Sequence, residues 1–190
     1  ERGGRTVVHC QEKLLPLLRS CAGIDVLVPQ GQTPPPFDVH AALPSLPEIL
    51  GTTPETIPAV ESYLTADPGL VEHWKKELAG LSGFKVGIAW QGSPTFNNDL
   101  QRSLGLQFFE PLSRIEGVHL ISLQKGPGVE QVETFADCFP LTKLPPDFDE
   151  AAGAFMDTAA IIKNLDLVIC PDTAIGHLAG ALGVKVWGVH

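Results

Sequence analysis

The sequence is poor in most of the features that announce a function. Its four cysteines, Cys10, Cys21, Cys138 and Cys170, are widely spaced and form no C-x-x-C pair, so neither a zinc site nor a disulfide framework is indicated. Reduced, mostly buried thiols in a cytoplasmic protein are the simplest account. His9, His40, His73, His119 and His190 show no metal-ligand spacing, and no metal is expected. Basic residues are scarce as well. Thirteen Lys and Arg stand against twenty-two Asp and Glu, a net charge of −9, which disfavours a nucleic-acid or anionic-membrane surface and requires any phosphate site to be local. No apolar run approaches the roughly 20 residues of a membrane-spanning helix, and the first residues, ERGGRTVV, carry no signal-peptide core. G-x-G-x-x-G, Walker A and G-x-S-x-G patterns are all missing, which withdraws support from nicotinamide, ATP-hydrolysis and serine-hydrolase readings.

What is present is a βα pattern. At 190 residues the chain accommodates one large domain or parts of two. Its most informative stretch is LDLVICPDTAIGHLAGALGVKVWGV, from Leu165 to Val189. The run Leu165, Leu167, Val168, Ile169 reads as a strand covered on both faces. Asp172 and Thr173 are both good N-cap residues for the helix that follows, whose apolar periodicity ends at Gly183 as at a C-cap glycine. Val184 to Val189 then reads as a second, parallel strand. In such units ligands bind outside the carboxyl ends of the strands, where helix N–H groups favour an anion. Thr173 and His177, four residues apart, project from one face of the first turns. Gly176, Gly180 and Gly183 form a second stripe, read as close helix-on-sheet packing.

Upstream, Thr6–His9, Ile24–Val28 and Phe37–His40 read as strands, Glu12–Ser20 as a helix, and Ser45–Leu50 as a brief helix capped by Ser45. Gly51 to Pro68 is too rich in proline and turn formers for regular structure. Pro68 to Ala79 is a helix capped by Asp67, with Trp74 as a core anchor. Phe84–Trp90 and Gly117–Leu123 are buried strands. Val129–Ala136 and Phe155–Asn164 are helices, Cys138–Leu141 is a short strand, and LPPDFD from Leu144 is an acidic, proline-broken loop. The strand ending at Trp90 leads into Gln91-Gly92-Ser93-Pro94 and the polar run Asn97, Asn98, Asp99, Gln101, Arg102, Ser103. An arginine clamps a phosphate with two charge-assisted bonds; a solvated surface charge is the alternative for Arg102. Lys125, after the next strand, is read either as a phosphate or base contact or as a solvated loop residue.

DTAIGHLAGALGVKVW resembles the donor-binding motif of the family-nine, heptosyltransferase-like glycosyltransferases, most closely the bacterial subgroup in which that region follows tetratricopeptide repeats. GTTPETIPAVESYLTADP from Gly51, KVGIAWQGSPTFNNDLQRSL from Lys85 and SLQKG from Ser122 resemble the same subgroup, in the same order. The resemblance implies a GT-B-like α/β fold: a Rossmann-type parallel sheet with helices on both faces, plus the closing part of a preceding Rossmann-like domain. On this reading residues 1–55 close the acceptor-side domain, 56–83 connect, and 84–190 form a nucleotide-sugar-binding domain truncated at its end.

The same resemblance proposes Gly92, Ser93, Asn98, Arg102, Lys125, Asp172, Thr173 and His177 as donor and phosphate contacts. Phe96 departs from the subgroup's usual histidine. The expected chemistry is metal-independent displacement at the anomeric carbon, with a nucleotide-sugar as substrate and no separate cofactor. A glycan or protein is the expected acceptor. The general base is expected outside this chain, so these residues alone bind donor and turn over poorly. Two alternatives stand beside this: a non-catalytic sugar-nucleotide module on a repeat scaffold, and an epimerase or dehydrogenase of similar fold.

Overall fold

The computed structural model describes residues 3–58, 61–95 and 99–189. Two parallel sheets run through them. The smaller pairs β1, Val7–Cys10, with β2, Val26–Pro29. Between them Pro16 lies inside the expected helix, and the segment splits into a 3-10 turn at Glu12–Leu14 and one turn of α-helix, α1, Leu15–Leu18. Phe37–His40 is not a strand. Phe37 is 54% and Val39 86% exposed, and a strand exists only where a neighbour takes its hydrogen bonds. The brief helix survives as α2, Leu46–Ile49, but Ser45 makes no capping bond to it.

Residues 51–58 and 61–67 stay irregular apart from a 3-10 turn at Pro54–Thr56. Helix α3, Pro68–Glu77, begins where Asp67 accepts a hydrogen bond from the Leu70 amide at 2.9 Å, the expected cap. The larger sheet follows, built from β3, Phe84–Ile88, β4, Val118–Ser122, β5, Leu167–Cys170, and β6, Val186–Gly188. Its order is β4-β3-β5-β6, every pair parallel. Beyond β4, Thr142 makes a single parallel bridge with Ile121, one residue past the expected strand at Cys138–Leu141. Counting that segment third, the order across the sheet is third, second, first, fourth, fifth. The chain therefore works outward from β3, returns, and restarts at β5, so the topological switch point lies between the C-terminal ends of β3 and β5.

Alternation along the strands divides the core. Val86, Ile88, Trp90, Leu120, Leu167 and Ile169 face one side; Ala89, Ile121, Leu123, Val168 and Cys170 face the other. Short elements cover the first side: a 3-10 turn at Leu106–Phe109, α5, Glu110–Ser113, and α6, Gln131–Thr134. The second side is covered by α3, by α7, Met156–Ile162, and by α8, Ala174–Ala181, with Leu17 of α1 joining the same cluster. Helix α4 is the single turn Asp99–Arg102. Burying both faces is what a parallel sheet requires, and it explains the near-continuous apolar strands.

Candidate functional site

Two loops meet at the switch point. The first leaves β3 through Trp90, Gln91 and Gly92 and re-enters regular structure in α4. It is closed by hydrogen bonds rather than packing: Leu104 N–H donates to the Trp90 carbonyl at 2.7 Å and Gly92 N–H to Ser103 Oγ at 3.0 Å. A Cβ on Gly92 would lie 2.6 Å from Asp99 Oδ1 and against the Arg102 guanidinium. A side chain there would have to displace that pair, so glycine suits the close approach of the backbone.

Arg102 joins the loops. Its Nε donates to Asp99 Oδ1 at 3.1 Å, and its Nη1 donates to the Asp172 carbonyl, in the loop after β5, at 2.7 Å. The Arg102 side chain is 21% and its Asp99 partner 8% exposed. This is not a solvated surface charge, since it is held across the sheet edge by two loops. Ser93 is exposed and bonds Thr95 Oγ1 at 2.8 Å. Phe96 and Asn98 lie outside the described residues.

The second loop, Pro171-Asp172-Thr173, opens α8. Thr173 is its N-cap, but neither expected capping side chain caps: Thr173 makes no capping bond, and Asp172 Oδ1 instead meets His177 Nε2 at 3.1 Å. With those side chains 60% and 78% exposed, that pair contributes at most about 1 kcal/mol. Thr173 Oγ1 is the opposite case, buried with no hydrogen-bond partner. Thr173 and His177 thus diverge, one hydroxyl turned inward and one imidazole in solvent. Within strict geometry the Thr173 hydroxyl has no partner, although it acts on the Cys170 thiol beneath it. The amides of Ala174 and Ile175 open the helix, where N–H groups have no intrahelical partner.

Beneath lies Cys170, whose thiol is pushed up by burial; the Thr173 hydroxyl draws it down, the Asp172 carboxylate adds to the rise, and the Gly176 backbone lowers it. Cys170 alone of the four thiols is buried, and Cys138 is exposed. Gly176 packs as expected, a Cβ there falling 2.9 Å from Cys170 Sγ; Gly180 has nothing within 4 Å. Gly183, at φ +74°, ends the helix while Val184 N–H reaches back to the Ala179 carbonyl at 2.9 Å, a Schellman closure.

A cavity of about 480 Å³ opens at the loop after β4, lined by Gln124, Lys125, Val129, Val132, Leu144 and Phe148 among others. Lys125 does not reach toward Arg102. Its Nζ donates to the Phe148 carbonyl, sits 4.7 Å over the Phe148 ring, and lies 3.8 Å from Glu150 Oε1. The residue of the SLQKG stretch that reaches the first loop is Gln124. Its Oε1 accepts from Trp90 N–H at 3.0 Å and Gln91 N–H at 3.1 Å, and its Nε2 donates to the carbonyls of Gln91 at 3.0 Å and Pro127 at 2.7 Å. Only 6% exposed, this carboxamide has its hydrogen-bonding capacity filled and ties the β3 loop to the β4 loop. A buried glutamine directly after an apolar strand was the available signal. A second cavity, about 320 Å³, is lined by Leu15, Leu18, Arg19, Ile24, Asp25 and Leu27, on the smaller sheet.

Among the described residues no group of three or more His, Cys, Asp or Glu is arranged to hold a metal ion, and no helix is long and apolar enough to cross a membrane.

Residues 153–190 match the model of glycosyltransferase family 9 (heptosyltransferase). That segment holds α7, β5, α8 and β6, and with them Asp172, Thr173 and His177. The chain is also similar to Protein FlbA of Caulobacter vibrioides, 31% identical over 153 residues, which cover 80% of this chain and 26% of FlbA. The chain thus spans about a quarter of the length of that relative. No solved structure matches it. A mixed α/β fold with parallel sheets is consistent with a Rossmann-like glycosyltransferase fold.

Proposed function

We propose that this chain is part of a family-nine glycosyltransferase and supplies the donor side of its site. On this reading residues 84–190 are the nucleotide-sugar-binding domain, 56–83 the connection, and 1–55 the end of the acceptor-side domain. The observation that carries the proposal is the convergence at the switch point. Gly92 gives a close backbone approach, Arg102 brings a guanidinium bound to both loops, and α8 offers its opening amides with the Thr173 hydroxyl buried beneath them. Each of these suits an anionic ligand.

The diphosphate of a nucleotide-sugar would lie over the amides of Ala174 and Ile175, beside Arg102. Its base would enter the cavity next to Gln124, where Val129 and Phe148 offer apolar walls. As the anomeric bond breaks, the leaving diphosphate gains charge, and fixed donors stabilise it without reorganising. This requires no metal ion. Asp172, acceptor-only while ionised, is suited to a sugar or ribose hydroxyl, and His177 beside it to a hydroxyl or phosphate oxygen. The general base that activates a glycan or protein acceptor would come from outside this chain. The intact protein would carry tetratricopeptide repeats and work in the cytoplasm.

Calorimetric titration of the chain with UDP, ADP and GDP tests the reading. One of them is expected to bind saturably, and Arg102→Ala to weaken it at least about tenfold, the loss of one charge-assisted contact. Absence of binding to the folded chain, or an Arg102→Ala variant that binds as wild type, would refute it.

A further inference from the structure

Among the described residues two that are not glycine have positive φ, Asp149 at 63° and Phe155 at 65°. They bracket the loop that leads from the cavity wall into α7. Aspartate enters this conformation more readily than most residues, but the arrangement remains costly and persists only where its surroundings hold it. Here the holding groups are carboxylates. Asp149 Oδ1 accepts from Thr158 N–H at 2.9 Å, and its Oδ2 from the Thr158 hydroxyl. In return, Asp157 Oδ2 accepts from Asp149 N–H at 2.8 Å, and Asp157 Oδ1 from the Trp74 indole N–H at 2.8 Å. Asp157 is 9% and Trp74 5% exposed. Two carboxylates on one short segment thus cross-brace the loop and anchor it to α3, a helix far away in sequence.

The residue before Asp149 is Phe148. Its ring lines the cavity, its carbonyl takes the Lys125 ammonium, and it is itself 8% exposed. A rotation at Asp149 would therefore carry the wall and Lys125 together. Closing an acidic loop needs no such pair of carboxylates, of which Asp157 is buried and Asp149 half-buried, since each loses hydration as it is covered and must recover it in hydrogen bonds. Such cost is justified where a position has to be held narrowly.

We propose that Asp149 is a positioning residue for the cavity's ligand. Braced through Asp157 to Trp74, it sets the gap between Phe148 and the Gln124–Gly126 loop, and so the fit of a flat heterocyclic base. The inference rests on the reading of the cavity given under Proposed function, and adds to it the residue that controls base recognition.

The test measures affinity of the full chain for UDP, ADP and GDP and, separately, for inorganic pyrophosphate, which has no base to place. Asp149→Ala is expected to weaken the preferred nucleoside diphosphate by about tenfold, the equivalent of a lost buried interaction, while pyrophosphate affinity stays unchanged. Asp149→Asn, which keeps an acceptor for Thr158 N–H and tolerates positive φ, should recover most of the loss. A purely structural role would not separate the two ligands. If Asp149→Ala does not fold, Thr158→Val carries the same expectation, because it keeps the side chain's shape and removes only the hydroxyl donor to Asp149 Oδ2. Equal weakening of both ligands, or no weakening of either, overturns the positioning role and leaves the donor site standing. Wild-type protein that binds pyrophosphate as tightly as every nucleoside diphosphate overturns the base pocket and this proposal with it; wild type that binds none of them overturns the donor site as well.

Discussion

Gln124 shows how much one side chain holds at this sheet edge. Four hydrogen bonds leave its carboxamide, and three of the four groups it satisfies belong to Trp90 and Gln91, the residues that aim Gly92 at the switch point. Arg102 depends on the same loop, because Gly92 passes beneath its guanidinium. Gln124→Ala would leave buried amides and carbonyls without partners, a loss of about 3 kcal/mol. Urea denaturation is expected to show that decrease, well above the few tenths typical of a surface glutamine. A change under 1 kcal/mol would mean the β3 loop is held by other contacts. The exposed Asp172–His177 pair has no such reach into the structure.

Helix α8 carries two glycines whose neighbours predict opposite outcomes. Gly180 has nothing within 4 Å where a Cβ would stand, so Gly180→Ala is expected to stabilise by up to about 1 kcal/mol through helix propensity. Gly183 has φ +74°, and its Cβ would fall 2.6 Å from the Glu61 carbonyl. Gly183→Ala should therefore destabilise by at least about 1 kcal/mol. Paired denaturant unfolding of the two variants checks the contrast; the same sign for both would contradict the geometry.

The Gly183 stop and the Asp67 cap were readable from sequence because both act within a few residues of themselves. So were β3, β4 and β5, whose apolar runs need only the knowledge that both faces are covered. Phe37–His40 was misread as a strand because its alternation carries no information about whether a neighbouring strand exists. At α8 the start was right and its chemistry was not: Asp172 and Thr173 have capping character, but a histidine one turn on takes the Asp172 carboxylate, and the Thr173 hydroxyl turns inward. Gln124 and Asp149 escaped notice as site-building residues for a related reason, and Asp157, which with Thr158 resembles the family's run before the donor motif, was equally well explained as a helix cap. Gln124 and Asp157 bond groups 33 and 83 residues away, and Asp149 acts through Asp157, so pairings of this range leave no local pattern.

Across the whole molecule, two apolar clusters cover the faces of the larger parallel sheet, and the proposed site residues gather along its C-terminal edge. Helix α3 packs on one face and bonds through Trp74 to the segment that walls the cavity, so core and site are continuous. The family match covers only residues 153–190, yet Arg102, Gly92 and Gln124 all stand outside that range. The similarity to FlbA extends over more of the chain, and the fold is what brings the two parts of the site together.

The most direct test of the donor-site account is to locate a bound nucleotide by amide chemical shifts in the isotopically labelled chain. Titration with the tightest-binding of UDP, ADP and GDP is predicted to move the amides of Gly92, Ala174 and Ile175 together with those of Gln124 to Gly126, along one saturation curve. Shifts confined to the cavity between Leu15 and Leu27, or no shifts at saturating nucleotide, would contradict it.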